Sequence, residues 1–212
     1  DYTYVLEQCY KGSAAFCSLV SRDSTGQLRS VTVPYAINYD KIEIKGYDMG
    51  LNYQRDAGRW GRFQFGLDAT LMSRYRIDGE NHNYVGETSS QGNLPRLRAN
   101  LNIGWDYRDW HAGWTARYVG SSTVGSAYEN YCFNTDASGN CVYFNVPAYV
   151  IHNLSVNRKF PKWHVTASLG VDNVFDKKPP IYYGYYSNAS NTDASTYDTV
   201  GRYYWAKLRW EF

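Results

Sequence analysis

No run of about 18 or more apolar residues occurs anywhere in the chain, and a membrane-crossing helix needs about 20. The mean hydropathy of −0.57 excludes a helical membrane protein on the same ground. No C-x-x-C pair and no metal-ligand spacing is present, which argues against a zinc site. An excess of charge of one sign is also lacking. The net charge is +2, the charges are interspersed, and no basic stripe carries interleaved aromatics, so nucleic acid is not an expected partner. The histidines, His82, His111, His152 and His164, fall on different segments, and Asn153 and Ser155 alternate away from His152, so a Ser-His pair lacks its geometry. We therefore expect no enzyme, no cofactor and no metal. The chain opens on Asp1 without a Met and without a signal peptide, as a mature exported protein, or a piece of one, would.

Aromatic residues, by contrast, are abundant, with 22 Tyr and 7 Trp in 212 residues. They fall into an alternating pattern. At the end of the chain Tyr204, Ala206, Leu208, Trp210 and Phe212 alternate with Tyr203, Trp205, Lys207, Arg209 and Glu211. The same period of two runs through 47–55, 60–72, 97–107, 110–119, 149–160 and 163–174, where His152 is the one discordant member of its apolar set. Strands of about 9–11 residues, greasy on one side and polar on the other, are what a transmembrane β-barrel requires. Aromatics gather near the strand ends, where a lipid–water boundary would hold them. A soluble sandwich or propeller rich in Tyr is the plainer alternative. The fold class expected is all-β, an antiparallel transmembrane β-barrel segment of about seven strands.

The connections favour the barrel. Asp56-Ala57-Gly58-Arg59, Arg108-Asp109 and Pro161-Lys162 read as tight turns, and the long stretches 73–96, 120–148 and 175–199 lie between them. Barrels of this kind have short periplasmic turns and long extracellular loops, and a last strand ending inward at Phe212 puts every long stretch outside. Residues 1–40 then form an extracellular loop, in which 8–20 reads as a short helix, and 41–212 hold the strands. An odd number of strands leaves open edges that hydrocarbon does not tolerate, so the chain is expected to be the C-terminal part of a larger barrel. The four cysteines permit three connectivities. Local spacing favours Cys9–Cys17 and Cys132–Cys141, each closing a short outer loop in an oxidising compartment.

Two faces remain to be read for chemistry. The lumen side carries Asp48, Asp68, Arg98, Asp106, Arg117, Asp172, Lys207, Arg209 and Glu211, either a wall for a passing substrate or charges neutralised by neighbouring strands. The outer loops carry Tyr128, Tyr131, Tyr143, Phe144, Tyr182, Tyr183, Tyr185, Tyr186 and Tyr197. Such rings suit stacking on sugars or aromatic siderophores, or packing of loop on loop, and Tyr128, Tyr131, Tyr143, Tyr182, Tyr183, Tyr185 and Tyr186 are the candidate substrate contacts.

The segment Gly170-Val171-Asp172-Asn173-Val174-Phe175-Asp176-Lys177-Lys178-Pro179-Pro180 resembles the signature that leads into the last outer loop of TonB-dependent outer-membrane receptors. Gly201-Arg202-Tyr203-Tyr204, followed by alternation to Phe212, resembles that family's last strand, in which Tyr204, Leu208, Trp210 and Phe212 would form the assembly signal. Pro95-Arg96-Leu97-Arg98 and Ala116-Arg117-Tyr118-Val119-Gly120 fit the same pattern. The resemblance implies a 22-stranded barrel filled by a plug, and neither the plug nor a TonB-contacting segment is in this sequence. It implies active import of a scarce nutrient, a siderophore, carbohydrate or similar, across the outer membrane of a Gram-negative bacterium. The implied partners are membrane lipid, the rest of the receptor, the TonB complex acting through the plug, and a small-molecule or oligosaccharide ligand. A passive pore and a small structural or adhesive eight-stranded barrel are the alternatives.

Overall fold

The computed structural model describes residues 2–33, 41–77, 82–89, 92–124, 137–139, 145–182 and 191–212. The chain divides into two units, residues 1–40 and residues 41–212.

In the first unit, α1 (Tyr2–Tyr10) and α2 (Ala14–Cys17) are joined by the Cys9–Cys17 disulfide, with Cα atoms 4.5 Å apart. The ring of Tyr4 meets Phe16 edge-on at 5.6 Å, and Val5 is fully buried. Two helices therefore stand where the sequence suggested one, because Gly12 takes a φ of 91° and breaks the first. A hairpin of β1 (Val20–Arg22) and β2 (Leu28–Val31) follows, closed by Asp23, whose carboxylate accepts from the Thr25 and Gln27 amides. Cys132 and Cys141 lie outside the described residues.

The second unit is built on long antiparallel strands: β3 (Ile42–Asp56), β4 (Arg62–Ile77), β7 (Leu97–Tyr107), β8 (Trp110–Val119), β11 (Tyr149–Phe160), β12 (Val165–Asp172) and β13 (Tyr203–Trp210). They form one seven-stranded sheet in the order β13-β12-β11-β8-β7-β4-β3. Four short strands, β5 (Glu87–Ser89), β6 (Gly92–Leu94), β9 (Ser122–Val124) and β10 (Asn145–Val146), make a second sheet at the long-loop end.

Register explains why the faces differ. Tyr53, Phe65, Ile103, Trp114, Leu154, Val171 and Tyr204 are successive cross-strand partners, an unbroken apolar row across the whole sheet. One residue along, Gln54, Gln64, Gly104, Gly113, Ser155, Gly170 and Trp205 form the next row on the opposite face. A slip of one residue in any strand would exchange these sets. The apolar face stands open, with Leu208 78% and Trp210 69% exposed. On the other face the Trp205 ring lies over Gly170, where an added Cβ would come within 2.2 Å of it.

The tight turns all fall at one end. Arg108 takes a φ of 52° in the two-residue connection between Tyr107 and Trp110, the left-handed region that such short hairpins require. The other two turns are longer than expected, since each contains a 3₁₀ turn, Gly58–Trp60 and Pro161–Trp163. Strand β12 consequently starts at Val165 rather than at residue 163. Strands β3 and β4 are also longer than their apolar patterns, with 15 and 16 residues.

Candidate functional site

The long-loop end is a folded structure in its own right. Strand β5 pairs with β6 on one side and, in parallel, with β9 on the other, so the segments 73–96 and 120–148 share one sheet. Thr88 Oγ1 donates to Asn93 Oδ1 at 3.2 Å and lies 2.9 Å from the Ser122 hydroxyl. The segment after β12 joins them. Asn93 Nδ2 donates to the Tyr197 hydroxyl at 2.8 Å, and Tyr197 packs edge-on against Tyr149 at 5.3 Å. Val119, Val124, Val146, Tyr149, Ile151, Tyr182 and Tyr197 form its buried apolar core.

The signature segment acts as a staple for this structure. Asn173 is fully buried with a φ of 49°. Its Oδ1 accepts from the Lys177 amide at 2.8 Å, its Nδ2 donates to the Lys177 carbonyl at 2.9 Å, and its own amide donates to Asn153 Oδ1 at 2.9 Å. The side chain thus replaces a strand partner just where β12 ends. Asp176 then reaches the start of the last strand, its Oδ1 accepting from the Arg202 amide at 3.0 Å. That amide, with the Lys178 ammonium beside it, holds the carboxyl below its ordinary value. Gly201, at a φ of 82°, leaves room for the contact, since a Cβ there would lie 2.9 Å from Asp176 Oδ1.

Between the loops and the polar face lies a cavity of about 480 Å³ lined by Arg117, Asn153, Asp172, Ser195, Asp198 and Tyr203, among others. Arg117 forms part of the wall and donates to the Thr196 carbonyl. Asp193 organises the turn above it, accepting from the Ser195 amide at 2.9 Å. Burial pushes the Asp193 carboxyl upward, but the bonds from Ser195 and Thr196 outweigh it and hold the group below its ordinary value. Cationic, anionic and phenolic groups line one pocket that is open to solvent.

The polar face of the sheet contributes further groups. Asp48 accepts from Thr70 Oγ1 at 2.6 Å, and Asp106 is held by His111 Nδ1 at 2.7 Å and Gln64 Nε2 at 2.7 Å. Arg98 donates to the Asn93 carbonyl at 2.8 Å, and Arg209 pairs with Glu211 at 3.2 Å. Satisfaction here comes mostly from neutral neighbours and loop carbonyls, with few opposite charges facing each other across strands. His82 pairs with Glu87 at 2.8 Å, and His164 sits in a turn at a φ of 53°. His152 stacks on Trp114 at 5.5 Å and meets Phe175 edge-on at 5.2 Å, which gives the discordant residue an aromatic setting on the apolar face.

Of the candidate aromatic contacts, Tyr128, Tyr131, Tyr143, Tyr183, Tyr185 and Tyr186 lie outside the described residues, as does Phe144. Tyr182 is 2% exposed, and burial raises its phenol above the ordinary value. In this arrangement its ring packs loop on loop. Asn173 stood in the signature segment without an assigned role, whereas Asn93 and Asp193 were not singled out from sequence, since isolated Asn and Asp carry no pattern until their partners are known.

Residues 16–174 match the family described as TonB dependent receptor-like, beta-barrel. The chain belongs to this family. Among solved structures, the FrpB iron transporter from Neisseria meningitidis (F3-3 variant) is 19% identical with a TM-score of 0.53, and the match covers 91% of this chain and 27% of that one. The siderophore receptor PirA from Acinetobacter baumannii is 20% identical with a TM-score of 0.56, covering 91% of this chain and 26% of that one. The chain thus spans about a quarter of the length of these two proteins. No curated protein matches it. TonB-dependent receptor barrels are outer-membrane proteins of Gram-negative bacteria, and the open apolar face with its aromatic strand ends agrees with that setting.

Proposed function

We propose that this chain supplies wall strands and ligand-facing loops to a plug-gated TonB-dependent receptor that imports a scarce nutrient. The observation that carries the reading is the cavity beneath the knitted loops, with Arg117, Asp172 and Asp198 facing one space on the polar side of a membrane-type sheet. In this reading the loops lie outside the cell, the polar face lines the lumen and the apolar face meets lipid. The family match supports energised import. The names of the two solved relatives make a ferric siderophore the first ligand class to test, with oligosaccharides second.

The test is uptake by the full-length receptor in a strain lacking it, with radiolabelled ferric chelates and oligosaccharides and with the TonB complex present or absent. Uptake that needs both the receptor and the TonB complex, and that falls in an Arg117→Ala receptor present at normal surface levels, is expected. Flux that persists without the TonB complex and scales only with solute size would replace this reading with a passive pore.

A further inference from the structure

At the turn end of the sheet, aromatic rings form a continuous ledge. Trp105 Nε1 donates to the Trp60 carbonyl at 2.8 Å and its ring stacks on Tyr107 at 5.8 Å. Tyr107 is the cross-strand partner of Trp110, and Trp110 that of Arg158. Two of the turns and the end of strand β11 each bring a guanidinium to this ledge. Arg59 lies 5.1 Å over Trp60, Arg108 lies 5.1 Å over Tyr107, and Arg158 lies 4.8 Å over both Trp110 and Phe160. Among the described residues none of the three is in an ion pair. The neighbouring carboxylates Asp56 and Asp106 alternate onto the polar face, and among the described residues Asp109, which follows Arg108 in its turn, forms no ion pair with any of the three. A guanidinium held near a ring by cation–π attraction makes no hydrogen bond to that ring's face, which leaves N–H groups for bidentate contact with a phosphate.

Arg158 is the notable member, because it stands on the apolar face within the strand, opposite Ala167 and in line with Leu208. Two residues toward the sheet centre, about 7 Å at the usual strand rise, an apolar furrow of about 570 Å³ begins. Its sides are Leu154, Val156, Leu169, Val171, Tyr204 and Ala206, and its floor is the backbone of the row beneath. The furrow is open because Ala206 is short between Tyr204 and Leu208.

We propose that this face binds an anionic glycerophospholipid, its phosphate on Arg158 with Arg108 in the adjoining turn, and an acyl chain in the furrow. A soluble partner would leave the furrow without a purpose, whereas a lipid occupies the cation and the furrow together. The proposal rests on the reading that the apolar face meets lipid.

The test uses the purified full-length receptor, stripped of lipid, with phosphatidylglycerol or phosphatidylcholine added, and native mass spectrometry to count retained lipid. Phosphatidylglycerol is expected to be retained over phosphatidylcholine. Arg158→Gln is expected to lower its retention at least about fivefold, and Ala206→Trp, which fills the furrow without touching charge, is expected to lower it as well. Lys207→Gln, on the polar face, is expected to leave it unchanged, and heat-modifiable gel migration verifies that each variant is folded. Equal phosphatidylglycerol retention by folded Arg158→Gln and wild type would overturn the proposal and leave the ledge to a protein partner. A fluorophore on Ala206→Cys separates the two levels. If brominated lipid fails to quench it, the membrane-facing reading fails; if it is quenched while retention ignores Arg158, the lipid site alone fails.

Discussion

Replacing Asn173 by Ala tests how the last long loop is held. The substitution removes the side-chain bonds to the Lys177 amide and carbonyl, at 2.8 and 2.9 Å, and leaves an Ala at a φ of 49°. Each lost bond costs about 1 kcal/mol, and more where its partner stays buried and unpaired. Ala lacks the local side-chain bonding that lets Asn occupy the left-handed region, and so adds roughly 1–2 kcal/mol of backbone strain. The local cost is then about 3–4 kcal/mol, concentrated where β12 passes into the loop. Hydrogen exchange on the full-length receptor should show the Lys177 amide opening at least about 100-fold faster, since each 1.4 kcal/mol is a factor of ten. Protection in β11 should stay as it was. Asn173→Gly should recover the backbone part of the loss and not the hydrogen bonds, and so fall between. A Lys177 amide equally protected in wild type and Asn173→Ala would refute the reasoning, because among the described residues that amide donates to Asn173 Oδ1, whereas the Lys177 carbonyl also accepts from the Tyr149 hydroxyl.

Leu208→Arg puts a cation on the face that reads as lipid-facing, at a cost between about 1 kcal/mol near a boundary and 2–4 kcal/mol at midplane. Lys207→Leu, on the polar face, should be nearly neutral, and denaturant unfolding in lipid vesicles compares the two. Gly170→Ala drives a methyl into the Trp205 ring and should cost about 1–3 kcal/mol as that ring is displaced, visible as a shift in tryptophan emission. The carboxyls of Asp176 and Asp193 are both held below their ordinary value of 3.8. Their contribution is therefore fully present above that value and lost as pH falls through the lowered ones. Loop order, followed by near-ultraviolet circular dichroism of the tyrosines, should hold from neutrality to about pH 4 and decay below it. Loosening between pH 5 and 7 would contradict the assignment.

The long strands were legible because period two survives wherever one face is uniformly apolar, as in the row from Tyr53 to Tyr204. Legibility failed where that uniformity stops. Above Gly46 the pattern inverts, with Ile42 and Ile44 on the face that carries Asp48 and with Glu43 and Lys45 opposite, and a bulge between Lys45 and Gly46 accompanies the change. The upper thirds of β3 and β4 were missed for this reason. The short strands of the loop sheet are two or three residues long, too few for any period, and the parallel pairing of β5 with β9 joins segments more than thirty residues apart. In the candidate site the signature was readable as a resemblance, whereas its mechanism, one Asn side chain standing in for a strand partner, needed coordinates. Arg158 was hidden by its position, since a lone cation in an apolar set looks like an interruption until Trp110 and Phe160 are seen beside it.

The parallel contact between β5 and β9 limits how such a surface can be rebuilt. A loop fixed only at its own two strand ends can be transplanted alone, its sequence drifting or being exchanged without regard to its neighbours. Here the 73–96 and 120–148 segments share backbone hydrogen bonds, and Tyr197 ties a third segment to Asn93. Chimeras that swap one of the three should lose surface order, and those that swap all three together should keep it. Selection for a new ligand would then favour recombination of the region from 73 to 199 as a block over the accumulation of changes in any single loop.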